Sequence, residues 1–492
     1  MVPKSFCNPL PLPDYPVGLY VKKGVNLGYL NNGEQVSYRE TADPSVIYED
    51  GKWYLYASCG MVWVSSDLAN WEYHPIELPE VDYAPCAVKH RGKYYITASN
   101  HSPLYVSDSP LGPFEKLGVI RDIDNKPFPR GMWDPMLFSD TDDRLYLYWG
   151  CTGPGIFGVE LDPENPLRAI TPNKLFFSFD PSHEWERCGE YNEDTSQSFV
   201  EGPNMFKRGK YYYLTYGAPG TEYSTYATGC YVGESPLGPF RYQQNNPVHK
   251  GRYGFVRGCG HACVVDGPNG SIWNFYTSVA CRNHYFERRI GVDIGYIDEN
   301  NELHFQDASS VPQQTPGSNP HPENGNSLGL LPVSVSKFTK ASSQLPARWT
   351  SNAVDGNIRT YWEAAPGDTA PWLEVNLKAP FDVSALRIVW AEPNFDHKQG
   401  PFPGAWQFVV EGRLSGNDTW ETLVDASGNQ TDLLIDYRTF EKKRIQYARI
   451  RILGGPAGMA VGLTDFTLFG TGTPIPEDAP YWKYPDTPGE LA

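Results

Sequence analysis

Along much of the chain, short apolar and aromatic runs alternate with tight polar turns. The first unit runs Ala42-Asp43-Pro44-Ser45-Val46-Ile47-Tyr48, turns at Glu49-Asp50-Gly51-Lys52, and continues Trp53-Tyr54-Leu55-Tyr56-Ala57-Ser58. That pattern predicts strand, turn, strand. It recurs at 83–88 with 94–99, at 133–138 with 145–149, at 201–206 with 211–216, and at 260–265 with 272–277. A third strand follows in each copy. In two copies it is nearly the same: Tyr105-Val106-Ser107-Asp108-Ser109-Pro110-Leu111-Gly112-Pro113-Phe114 and Tyr231-Val232-Gly233-Glu234-Ser235-Pro236-Leu237-Gly238-Pro239-Phe240. Short strands repeated every ~40–70 residues are the signature of propeller blades. Residues ~20–305 therefore read as a five-bladed β-propeller, with 1–305 as the first domain.

The character then changes. Residues 306–330 are rich in Pro, Ser, Gln, Asn and Gly and read as a linker or an ordered loop. Apolar or alternating runs at 372–377, 385–390, 407–411 and 448–452 predict a β-sandwich over 331–470. The tail 471–492 is Pro-rich but carries Tyr481, Trp482 and Tyr484, and is expected to pack on a surface. The fold class is all-β.

Composition narrows the partners. Lys+Arg is 41 and Asp+Glu is 58, a formal charge of −17, which argues against nucleic acid or an anionic membrane surface. The sequence holds no apolar stretch long enough to span a bilayer. Met1-Val2-Pro3-Lys4-Ser5 does not begin a secretory signal. Nine cysteines is an odd number, with no CxxC pair, so zinc or thioredoxin-type chemistry has no spacing signal. Cys59, Cys86, Cys151 and Cys230 lie in apolar runs and read as buried free thiols.

The first strand of each propeller blade lines the central channel. Matching the repeats brings Asp43, Ala84, Asp134, Glu201 and His261 to one equivalent position. An isolated Asp-Pro or Glu-Gly-Pro is a turn, but three acids at one phase of a repeat ask for another reason. Carboxyl groups converging on one axis repel each other, and partial burial raises at least one pKa. Glycoside hydrolysis uses that arrangement: one carboxylate activates water and one carboxylic acid protonates the leaving oxygen. Asp67, Asp108 and Glu234 recur at another phase and read as turn caps on the rim.

The segments Ala42-Asp43-Pro44-Ser45, Trp133-Asp134-Pro135 and Val200-Glu201-Gly202-Pro203 resemble, in order and spacing, the three motifs of glycoside hydrolase family 43. The resemblance implies a five-bladed, inverting enzyme in which Asp43 is the general base, Asp134 the pKa modulator and Glu201 the general acid. It implies that His261 orders a metal or water on the axis, and that Arg288 or Arg289 contacts sugar and base. Trp133, Tyr83 and Asn204 border the implied pocket. Tyr83-Ala84-Pro85 and Asn204 depart from the family's usual Trp-Ala-Pro and His. The second domain resembles the discoidin, or coagulation factor 5/8 type C, jelly roll, whose fold carbohydrate-binding module family 32 shares; the carriers are Ser351-Asn352-Ala353-Val354-Asp355-Gly356-Asn357, Thr360-Tyr361-Trp362 and Pro371-Trp372-Leu373-Glu374-Val375. Asp355, Asn357 and Thr360 suit a structural calcium site, or equally an Asx turn. Trp362 and Trp372 match the core pattern of that domain rather than a sugar platform.

Taken together, the resemblance implies a secreted or periplasmic, monomeric, exo-acting hydrolase of plant or microbial glycans. Its chemistry needs no cofactor. The expected sugar is a terminal α-L-arabinofuranosyl unit, with β-D-xylosidase and β-D-galactofuranosidase as alternatives. The rivals of another class are a non-catalytic glycan-binding protein and a structural propeller.

Overall fold

The computed structural model describes residues 4–17, 38–58, 61–128, 132–151 and 154–472. Five antiparallel sheets follow one another along the first part of the chain. Blade one is Ser45–Glu49, Lys52–Ala57, Met61–Ser65 and Glu72–Pro75; blade two is Cys86–His90, Lys93–Thr97, Leu104–Ser107 and Glu115–Gly118. Blade three is Met136–Ser139, Leu145–Trp149, Ile156–Asp162 and Asn165–Ala169, with Lys174–Phe177 added against its third strand. Blade four is Glu201–Arg208, Tyr211–Ala218, Ala227–Gly233 and Phe240–Tyr242; blade five is Gly260–Asp266, Ile272–Val279, Arg288–Ile297 and Leu303–Phe305. Each innermost strand touches the next, and the fifth returns to the first, so the ring is closed. This is the five-bladed propeller that the repeat predicts.

The seams between blades are made by side chains. Ser45 Oγ accepts the Ala87 N–H at 2.9 Å, and Cys86 Sγ accepts the Leu137 N–H at 3.0 Å. Asn204 Oδ1 accepts the Val264 N–H at 3.0 Å, and Cys263 Sγ accepts the Val46 N–H at 3.2 Å, which closes the ring. The third blade has Met136 at the matching place, packed against the apolar layers on both sides. Cys86, Cys230 and Cys263 are buried free thiols; Cys59 lies outside the described residues. The rim acids are surface groups: Asp67 caps the turn at Ala69 and Asn70, Asp108 pairs with Lys93, and Glu234 pairs with Lys210.

The second domain is β-rich, as expected. Its two long strands, Trp372–Trp390 and Ile435–Gly454, pair with each other along most of their length. The ladder breaks between Asn376 and Phe381, and there the partners change. Before the break the first strand pairs with Phe338–Ala341, and after it with Gly462–Gly472. A strand that turns a corner at such an irregularity passes from one layer of a sandwich to the other. Trp362 is fully buried in this core, and Trp372 is half-buried.

Residues 306–330 are an ordered loop. Gln313–Gln314 pairs with Ser5–Phe6 near the N-terminus, and Gln313 and Gln306 both donate to Asp293 of blade five. The N-terminal segment continues across both domains: the Leu10 N–H reaches Ile290 O, and the Asp14 N–H reaches Asp432 O. Trp53, Trp273 and Phe255 of the propeller belong to one continuous apolar core with Trp362, Trp390 and Phe466 of the sandwich. The tail from 473, with Tyr481, Trp482 and Tyr484, lies outside the described residues. Among the described residues no helix is long and apolar enough to cross a membrane.

The seams make Asn204 a structural residue. Asn204→Ala leaves the buried Val264 N–H without its acceptor and should cost about 1–3 kcal/mol in denaturant unfolding, with KM unchanged. A raised KM at unaltered stability would return Asn204 to the pocket.

Candidate functional site

Where the chain enters each innermost strand, one residue adopts the left-handed conformation. These are Asp43 (φ 55°), Ala84 (50°), Asp134 (50°), Gly202 (56°) and His261 (46°). In blade four that place is held by Gly202, so Glu201 stands one residue earlier than the repeat matching supposed. The proline that follows Asp43, Ala84, Asp134 and Gly202 marks the true phase. The cost of a left-handed non-glycine residue, about 1–2 kcal/mol, is met by hydrogen bonds from the preceding blade. The Asp43 N–H donates to Thr277 Oγ1 at 2.8 Å, the Ala84 N–H to Ser58 Oγ at 2.9 Å, and the Asp134 N–H to Ser99 Oγ at 2.9 Å. The Gly202 N–H donates to Asp134 Oδ2 at 3.2 Å. A side chain at Gly202 would meet the His261 ring at 2.9 Å, so this position is glycine for space as well as for φ.

The residue before each left-handed position forms a second ring: Ala42, Tyr83, Trp133, Glu201 and Gly260. Tyr83 and Trp133 stack with centroids 5.6 Å apart. The missing side chain of Gly260 leaves room for the Tyr226 ring, which a Cβ there would meet at 2.3 Å. Tyr226 Oη then donates to Glu201 Oε1 at 2.7 Å, and Cys151 Sγ donates to Glu201 Oε2 at 3.3 Å.

Asp43, Asp134, Glu201 and His261 border one cavity of about 500 Å³. Ser58 Oγ donates to Asp43 Oδ2 at 2.6 Å, and Arg288 Nη1 donates to Asp43 Oδ1 at 3.3 Å. Arg288 Nε is held in turn by buried Glu40 at 3.0 Å. His261 Nδ1 faces Asp43 at 3.5 Å and Asp134 at 3.6 Å.

The carboxyl groups differ in charge. Burial raises the Asp43 pKa, but Arg288, His261 and the hydroxyls of Ser58 and Thr277 outweigh it and hold the group below its usual 3.8. Burial, then the charges of Glu201 and Asp43, push Asp134 well up. Burial pushes Glu201 up to about 7 against its bonds from Tyr226 and Cys151, with Glu222 and Asp43 adding repulsion. Burial lowers the pKa of His261, which favours the neutral ring. The cavity thus pairs an Asp43 that ionises readily with a Glu201 that keeps its proton up to about pH 7.

Several contributors escape a reading of the repeats. Ser58, Ser99 and Thr277 orient the roots of the blades. Glu40 fixes Arg288. Glu222, Phe199, Tyr285 and Phe286 complete the cavity wall. Cys151 lies beyond the strand, not within it, and is half-buried at the cavity rather than buried in a core. A following-proline signal would have set the phase of Glu201; nothing in the repeat marks Glu222 or Tyr226, which come from loops or outer strands.

Other predicted residues lie elsewhere. Arg289 turns away from the cavity to Glu287 at 3.0 Å and to Arg39 O, so Arg288 is the arginine at the site. Asn204 is occupied in its seam. In the second domain, Asp355 accepts from Thr360 Oγ1 at 2.6 Å and from the Asn357 N–H at 2.8 Å. Asn357 Oδ1 accepts from the Arg359 N–H at 3.1 Å and from the Arg257 guanidinium at 3.4 Å. An Asx turn whose oxygens already hold donors, with an arginine against it, does not fit a calcium ion. Among the described residues, the one set of ligand-type atoms close enough to share an ion is Asp134, Cys151 and Glu201, within 4.8 Å of one another. His261 is not in it.

The family model described as glycosyl hydrolases family 43 matches residues 35–300, and the F5/8 type C domain matches residues 338–461. A xylan 1,3-beta-xylosidase from Vibrio sp is 26% identical over 49% of this chain and 47% of that protein. A beta-D-galactofuranosidase from Aspergillus niger is 26% identical over 39% of this chain and 51% of that protein. An arabinoxylan arabinofuranohydrolase from Paenibacillus polymyxa is 21% identical over 83% of this chain and 72% of that protein. The chain spans about half the length of the first curated relatives it matches.

Titration of the Glu201 carboxyl, followed by infrared difference spectroscopy against Glu201→Gln, should have its midpoint near 7. Glu222→Gln removes a like charge, makes ionisation easier, and should move that midpoint down. An unmoved midpoint would take Glu222 out of the cavity's electrostatics. Calcium and chelator should leave the melting temperature unchanged, since an ion bound at 100 times its Kd would add about 2.7 kcal/mol. A rise with calcium would overturn the reading of Asp355.

Proposed function

This chain belongs to glycosyl hydrolases family 43, and from that premise we propose that it is an exo-acting, inverting glycoside hydrolase of plant or microbial glycans. The observation that carries the proposal is the pair of carboxyl groups on one cavity, Asp43 held by Arg288 with its pKa lowered and Glu201 held by Tyr226 with its pKa raised to about 7. Asp43 takes a proton from water as the water attacks the anomeric carbon. Glu201 gives its proton to the departing glycosidic oxygen. Asp134, within 4.8 Å of Glu201, lies closer to it than hydrolysis with inversion needs for the base, and the family resemblance gives it the modulator's role. Inversion calls for a base and acid about 6.5–9.5 Å apart, leaving room for the water. The two carboxyl groups supply both proton transfers, so no cofactor enters the reaction.

Arg288 and the Tyr83–Trp133 pair are the proposed sugar contacts. The proposed sugar is a terminal α-L-arabinofuranosyl unit. Support comes from the arabinofuranohydrolase relative, whose alignment extends across 83% of this chain and so across both domains. Release of β-D-xylosyl or β-D-galactofuranosyl units is the alternative. The proposed protein is a monomer that works outside the cytoplasm, as its substrates require.

A panel of aryl glycosides tests the sugar. On the best substrate, Asp43→Asn should cost about 10²–10⁴-fold in kcat. Glu201→Gln should harm poor leaving groups most and spare activated aryl glycosides. NMR before mutarotation should show a product of inverted configuration. Full activity in Asp43→Asn would take Asp43 out of the base's role, no turnover of any glycoside would leave a glycan-binding protein as the reading, and retention would exclude the single-displacement mechanism.

A further inference from the structure

Two chains of contacts run from the second domain into the cavity. One passes through the loop 280–287 between the second and third strands of blade five. Its tip places Tyr285 and Phe286 on the cavity wall, directly before Arg288. The loop is folded on Glu287: the Ala280 and Cys281 N–H groups both reach Glu287 O, and the Asn283 N–H reaches Glu287 Oε2 at 2.7 Å. From this loop Arg282 crosses to the sandwich. Its Nη1 donates to Thr464 Oγ1 at 2.8 Å and its Nη2 to Ala391 O at 2.6 Å, while Tyr361 lies 5.2 Å beneath the guanidinium. Arg359 answers from the other side, donating to Ala280 O at 3.2 Å.

The second chain starts at Arg39. Its guanidinium is held by Asp432 at 2.6 Å and Glu392 at 3.0 Å, both on the sandwich. Its neighbour Glu40 holds Arg288, and Arg288 holds Asp43. Arg39, Arg282, Glu287 and Glu392 meet around a gap of only about 10 Å³. Arginines with two or three acceptors each, here Arg39 buried and Arg282 partly buried, are stiff supports, because the planar fork fixes direction as well as distance.

We propose that the second domain is a working part of the active site: through Arg282 and Arg39 it braces the 280–287 loop and Arg288 in the position that receives the sugar, and Arg282 is a positioning residue. The proposal rests on the hydrolase reading for its kinetic arm. It gives the jelly roll a task that needs no sugar-binding surface of its own. A displacement of about 1 Å in such a wall is worth ~10²-fold in rate.

The test uses the full chain. Arg282→Ala should lower kcat/KM by about 10–100-fold and speed amide hydrogen exchange in 280–287 by about tenfold or more. Arg282→Lys keeps the charge but not the fork and should fall between. Thr464→Val removes one acceptor on the sandwich side, leaves the arginine in place, and should shift both readings in the same direction; it serves if Arg282→Ala fails to fold. The exchange arm needs no substrate, so it decides the brace even if no glycoside is turned over. Unchanged exchange in the loop in folded Arg282→Ala or Thr464→Val would overturn the proposal. So would a lowered melting temperature with wild-type kcat/KM.

Discussion

The five blades are separate sheets, and among the described residues no ladder joins one to the next. The ring is held by side chains that reach across each seam to a backbone N–H. Two tiers of such bonds occur. One lies inside the innermost strands, at Ser45, Cys86, Asn204 and Cys263. The other lies at their roots, where Thr277, Ser58 and Ser99 hold the left-handed residues. Each bond contributes only about 1 kcal/mol net, but losing one strands a buried donor. The geometry of the cavity depends on these seams, because Asp43, Asp134, Glu201 and His261 are carried on four different blades. Asp134 serves both purposes, as a carboxyl at the cavity and as the acceptor for the Gly202 N–H.

Electrostatically, the described residues of the cavity are an excess of acid arranged around Arg288. Four carboxyl groups of the described residues line it, and Arg288 pairs with one of them, Asp43. That asymmetry sorts chemically similar groups into different states. Glu40 keeps the guanidinium from swinging toward the other acids. Burial alone would protonate them all; the placement of one arginine selects which group stays charged.

Much of this was legible in the chain. Alternating apolar residues between Gly turns gave the blades, since strand burial has a period that a sequence displays directly. Asp43, Asp134, Glu201 and His261 could be named because each blade repeats its entry. Matching by charge, however, set Glu201 at the wrong phase, whereas Pro203 marks the backbone geometry. Glu222, Tyr226 and Cys151 reach Glu201 only once the ring closes, and no local pattern announces that. The Asp355 turn reads the same with or without an ion. What decides it is Arg257, a hundred residues earlier in the chain, whose guanidinium reaches Asn357.

The two rings at the blade roots divide labour between neighbouring residues. The left-handed position is constrained by φ and by the hydroxyl behind it, so its side chain must suit a strained backbone. The position before it carries Ala42, Tyr83, Trp133, Glu201 and Gly260, which share neither size nor polarity. Of these, Tyr83 and Trp133 carry neither the acid nor its support, and they amount to a replaceable facing on a fixed frame. A scaffold of that kind can be given a new specificity by rewriting two codons, while Glu201, the proposed acid, and Gly260, whose emptiness admits the tyrosine that holds it, have the least freedom to change.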